Sequence, residues 1–175
     1  MGFWSQSYVK LTLKYLWIIS LIVLIWQGYS AYLKLPVQVA THFNSSGVPN
    51  GWSSRTSFFT VWGLTMVGMN AMWLLSVFLL PRCLRAKFAQ TVNIPNRDYW
   101  LSTDERRVEC GRLMNAMMFG VAFMTNALFI VIFHSIVQSN INPGGGMHME
   151  RLLIIVALLL IFIGVYLLTA FRKAE

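Results

Sequence analysis

Residues Leu35–Arg55, LPVQVATHFNSSGVPNGWSSR, make a polar, turn-rich stretch between two long apolar runs, and the layout of the whole chain follows from reading it. Pro36 lacks a backbone donor and biases its predecessor toward extended geometry, so the preceding helix ends there. From Val37 to Asn44 the residues alternate: Val37, Val39, Thr41 and Phe43 fall on one face of an extended segment, and Gln38, Ala40, His42 and Asn44 on the other. Ser45-Ser46-Gly47 and Asn50-Gly51 are turn signals, the second pair among the strongest for a tight reversal, and Trp52 gives the fold-back something to pack on. A loop of about 20 residues with this turn chemistry is expected to be ordered, and long ordered loops tend to carry function.

On either side of this stretch the composition is that of a membrane protein: 57% of residues are apolar and 11% charged, against a soluble average of about 45–50% and about 25%. Four runs, residues 13–33, 57–80, 113–138 and 152–171, match the about 20 helical residues that cross a hydrocarbon core. Each must be a helix, because a lipid-exposed backbone has to satisfy its own hydrogen bonds. The expected fold is therefore an all-α integral membrane protein, a single domain over residues 1–175. Its loops are an outer one at 34–56, a cytoplasmic one at 81–112 and a second outer one at 139–151. The first run reads as a retained anchor: it exceeds the length of a signal-peptide core, and bulky Tyr29 and Tyr32 stand where a peptidase needs small residues.

The net charge of +8 is mostly topology. Lys10, Lys14, Arg82, Arg85, Lys87, Arg97, Arg106, Arg107, Arg112, Arg172 and Lys173 flank one set of helix ends, whereas Lys34, Arg55 and Arg151 flank the other. By the positive-inside rule both termini and the 81–112 loop are expected on the cytoplasmic side, with Leu35–Arg55 facing outward. Juxtamembrane charge of this kind serves anionic lipid, so nucleic acid is not an expected partner. Cys83 and Cys110 both fall in the cytoplasmic loop, where a structural disulfide is not expected.

Within the helices, Met66, Met69 and Met72 drift around the helix and read as packing, and Asn70 as an interhelical hydrogen-bonding group. Pro81 opens the cytoplasmic loop. Ser102 with Glu105 has the pattern of a capping box, which starts the third helix near Thr103 and projects its first turns beyond the bilayer. Asn115 and Asn126 fall close to one face of that helix and predict a polar seam.

At this point the residues carry a resemblance. Leu35-Pro36, Thr41-His42-Phe43-Asn44, Gly47, Pro49 and Gly51-Trp52 resemble the signature of a bacterial membrane-protein domain of unknown function that also forms the N-terminal part of SdpI-type toxin-immunity proteins. Residues 93–101, NIPNRDYWL, followed by Glu105-Arg106-Arg107, resemble the cytoplasmic block of many standalone members. The resemblance implies the membrane fold, a place in the bacterial inner membrane and an immunity-like role. It implies no catalytic motif.

No Asp or Glu falls within the four runs, and no HExxH, GxSxG or P-loop pattern occurs, so the chain is expected not to be an enzyme. The expected function is recognition of a peptide, protein or envelope ligand by the outer loop, as in toxin immunity or signalling. His42 and Asn44 would supply hydrogen bonds, Phe43 and Trp52 apolar contact, and Gly47 the turn. Asn93, Pro95, Arg97, Tyr99, Trp100 and Arg106 are the candidate contacts for a cytoplasmic partner. No resident cofactor is expected. A first alternative is a copper- or zinc-handling protein in which His42, His134, Met147, His148 and Met149 converge on the outer face. A second is a structural accessory subunit of a membrane complex.

Overall fold

The computed structural model describes residues 3–85, 87–142 and 149–172, with side chains over 8–84, 89–142 and 150–172. It is mostly helical. Helix α1 spans Phe3–Tyr32, strands β1 and β2 span Gln38–Phe43 and Pro49–Ser54, and α2 spans Arg55–Arg85. A 3-10 turn at Lys87–Thr91 and the short α3, Arg97–Trp100, lead to α4, Asp104–Ile141, and then α5, Met149–Ala170. Four of these helices are long and apolar enough to cross a membrane.

Helix α4 is the axis of the molecule. Its 38 residues make a rod of about 57 Å at 1.5 Å per residue. Helix α1 runs parallel to it: the Trp17 ring lies 5.6 Å from that of Phe119, Ser20 meets Asn126, and Gln27 Nε2 donates to the Ile130 carbonyl at 3.1 Å. Helix α2 runs antiparallel, with Trp62 against Phe129, Asn70 against Asn126 and Pro81 against Gly111. Helix α5 is also antiparallel: Phe162 lies over Gly120, and the Tyr166 hydroxyl donates to the Leu113 carbonyl at 3.0 Å. Buried side chains concentrate on α4, while α2 and α5 turn broad apolar faces outward, as helices do where the solvent is hydrocarbon.

A polar network joins α1, α2 and α4. Asn70 Oδ1 accepts from the Trp17 indole at 2.9 Å and from Asn126 Nδ2 at 3.1 Å, Asn126 Nδ2 also donates to Ser20 Oγ at 2.9 Å, and Ser20 Oγ donates to the Trp17 carbonyl. Asn115 does not extend this seam as expected: its Oδ1 is buried without a hydrogen-bond partner among the described residues. Eleven residues separate it from Asn126, a rise of about 16 Å that carries it away from the network of Trp17, Ser20, Asn70 and Asn126.

Two boundaries and one cap differ from the sequence reading, the first boundary being the start of α1 at Phe3, ten residues before the apolar run. Helix α2 continues through Pro81 to Arg85. The proline ring packs against Gly111, and beyond it Leu84 is fully buried among Ile94, Trp100 and Cys110, so packing outweighs the lost backbone bond. Helix α4 is capped by Thr103, whose hydroxyl accepts from the Arg106 N–H at 3.3 Å. Ser102, the expected cap, instead donates its hydroxyl to the Tyr99 carbonyl at 2.8 Å and closes the turn after α3.

Candidate functional site

The Leu35–Arg55 stretch folds into an antiparallel β-hairpin whose partners are Gln38 with Ser54, Val39 with Ser53, Ala40 with Trp52, His42 with Gly51 and Phe43 with Pro49. The reversal spans Asn44 to Val48. Asn44 Oδ1 accepts from the N–H groups of Ser46 at 3.0 Å and Val48 at 2.9 Å, and the Gly47 N–H donates to the Asn44 carbonyl. Gly47 takes φ 76°, a conformation that a Cβ disfavours. Asn50-Gly51, read as the tight reversal, lies inside β2. Turning there would leave only a stub of strand before α2 begins, whereas turning at Asn44 pairs β1 with β2 from Gln38 with Ser54 to Phe43 with Pro49, with register shifts on either side of the His42 and Gly51 pair. Gly51 serves close approach instead: a Cβ on it would stand 3.0 Å from the Cβ of His42.

Three anchors fix the hairpin on the helices. Val39, fully buried, and the half-buried Phe43 enter a cluster with Leu35, Phe58, Phe133, Ile136 and Val137. The Arg55 guanidinium donates to the Leu35 carbonyl at 3.0 Å and to that of Tyr32 at 3.4 Å, and lies 4.9 Å from the Tyr32 ring centre. It thereby satisfies carbonyls at the end of α1, where a positive charge also suits the helix dipole. Asn140, in the last turn of α4, grips Ala40 with both ends of its amide: it accepts from the Ala40 N–H at 2.7 Å and donates to the Ala40 carbonyl at 3.0 Å. This grip explains why Ala40 is buried although the alternation assigns it to the polar face. Asn140 was invisible to sequence reasoning, since nothing local links an amide at a helix end to a strand 100 positions earlier.

The five loop residues picked from sequence thus separate into two groups. Asn44 and Gly47 form the turn and Phe43 anchors it, while His42 and Trp52 are exposed on neighbouring rungs, Trp52 at 61%. The hairpin presents an imidazole and an indole on a braced strand pair.

At the opposite end of the bundle, Trp100 is buried and its indole N–H donates to the Phe171 carbonyl at 3.2 Å, beside Asn96 Nδ2 on the same oxygen at 3.0 Å. Arg106 stacks 4.1 Å over the Tyr99 ring, and Arg97 pairs with Asp98 and reaches the Gln90 carbonyl. Asn93 is exposed and Pro95 half-buried on the lead-in to α3. Trp100 therefore clamps the end of α5, with Tyr99 edge-on to it and Arg106 stacked on Tyr99.

Of the candidate metal ligands, His42 and His134 are both exposed, the first on β1 and the second on α4. Met147 and His148 lie outside the described residues, as does the side chain of Met149. No group of three or more His, Cys, Asp or Glu able to hold a metal stands among the described residues.

Residues 18–69 match the family model of a domain of unknown function, DUF1648. The matched segment runs from within α1 through the hairpin into α2. No curated protein and no solved structure matches the chain.

Proposed function

We propose that this protein is a non-enzymatic, multi-pass protein of the bacterial inner membrane that recognises a peptide or protein through the outward-facing hairpin, in a role of the toxin-immunity or signalling kind. The observation that carries this reading is Trp52, a large indole left 61% exposed on a hairpin that three separate anchors hold rigid. Rigid aromatic side chains are favoured binding anchors because they bring large contact area at small cost in conformational entropy. His42, exposed on the next rung and packed over Gly51, adds a hydrogen-bonding group to the same hairpin. The basic residues support the orientation: Lys10, Lys14, Arg82, Arg97, Arg106, Arg107, Arg112 and Arg172 gather at the end opposite the hairpin. The resemblance of the Thr41–Asn44 and Gly51-Trp52 signature to SdpI-type immunity proteins supports the same side and the same kind of role.

A photoreactive phenylalanine analogue in place of Trp52, activated in living cells of the native host, tests the reading. The expected result is a discrete protein or peptide adduct whose yield falls when His42→Ala is added, with membrane abundance unchanged. Adducts to lipid alone would make Trp52 an interfacial anchor and overturn the proposal.

A further inference from the structure

One edge of the hairpin is closed and the other is open. Asn140 takes both the N–H and the carbonyl of Ala40, so these groups point away from β2. Residues that face one another in an antiparallel ladder exchange both their bonds or neither. Trp52 faces Ala40, and its N–H and carbonyl therefore point away from β1, toward the free edge of β2. The bond from the Arg55 N–H to the Val37 carbonyl at 2.8 Å confirms this phase, because it is the flanking bond expected when Gln38 and Ser54 exchange none. Ser54 accordingly turns its N–H to the same edge. Both Trp52 and Ser54 are exposed.

By this phase, on the regular side of the register shift that lies between Ala40 and His42, the free edge displays a donor and an acceptor on Trp52 and a donor on Ser54. We propose that this edge takes an extended polypeptide segment as a third strand, with an apolar side chain of the incoming segment laid against the indole. The assignment rests on the recognition reading above and names the chemistry of what is recognised. An open strand edge is complementary to another backbone, because donors and acceptors recur at the same spacing in both. The opposite edge already works in this way, with the Asn140 amide imitating a short piece of strand. Pro49 lacks an N–H and ends the row on the turn side, which confines the contact to Trp52 and Ser54 and suits a transient partner.

The test uses the full chain in lipid nanodiscs, carrying Asn50→Cys and Cys83→Ser, with a short peptide of alternating valine and threonine tethered to residue 50 through a disulfide. Tethering raises the effective concentration to roughly millimolar, enough to populate a weak contact. Hydrogen exchange of the Trp52 amide is followed by NMR with tryptophan-selective labelling. The unmodified peptide is expected to slow that exchange by about tenfold or more, and its backbone N-methylated counterpart to leave it unchanged. Equal exchange with the two peptides overturns the third strand. If the Trp52 indole signal shifts with both while the amide stays unprotected, recognition by side chains survives and the edge does not. If neither signal responds, the third strand is likewise overturned, and the recognition reading is decided separately by the photocrosslink at residue 52.

Discussion

Asn140 does for the hairpin what a neighbouring strand does in a larger sheet, and removing it exposes how much depends on one amide. In Asn140→Leu the Ala40 N–H and carbonyl lose their partners in a buried setting, at about 1–3 kcal/mol for each group left unsatisfied. The hairpin is then expected to loosen without loss of helix content, read as new protease cleavage within residues 38–54 of the nanodisc-embedded protein. Unchanged resistance would show that Val39, Phe43 and Arg55 suffice. Asn44 belongs to the same scale. Because its Oδ1 is committed to the N–H groups of Ser46 and Val48, Asn44→Ala is expected to raise cleavage at the turn, whereas His42→Ala leaves the pattern unchanged. The sequence announces a turn in this region through its Asn, Ser and Gly residues. It does not say which signal wins, because that depends on pairing β1 with β2 and on where α2 begins.

At the scale of elements, α5 is held by one groove and one clamp. Gly120 leaves space for the Phe162 ring, since a Cβ there would come within 2.2 Å of Phe162 Cζ. Gly120→Leu is therefore expected to displace α5 and lower the thermal midpoint in detergent by several degrees, with Gly120→Ala intermediate. At the other end, Trp100→Phe keeps an aromatic side chain but removes the N–H that meets the Phe171 carbonyl, together with some buried volume. A loss of about 1–3 kcal/mol is expected from the missing bond and the space left behind, readable in the same melting experiment. The presence of these helices is legible in their apolar runs, and for α5 its length as well. Their neighbours are not: α5 resembles any membrane helix until Gly120 and Phe162 are seen together, and the continuation of α2 through Pro81 follows only from what Leu84 packs against.

For the whole molecule, orientation is the property with the widest consequences. Ser46→Cys, at the exposed hairpin turn, is expected to react with a membrane-impermeant maleimide in intact cells, and Asn93→Cys only after permeabilisation, both in a Cys83→Ser background. The opposite pattern would put the hairpin in the cytoplasm and remove the proposed role. Four helices and their approximate extents could be read directly from residue order, because in hydrocarbon each segment must satisfy its own backbone and needs nothing from its neighbours to do so. The polar stretch between the first two runs was equally legible as the part that differs. The tertiary structure alone made α4 the axis, divided the loop residues into anchors and exposed groups, and closed one hairpin edge while leaving the other open. Those outcomes rest on contacts such as Asn140 with Ala40, 100 positions apart, and Trp100 with Phe171, 71 apart. No local pattern encodes such contacts, because they exist only once the helices have chosen their order around α4.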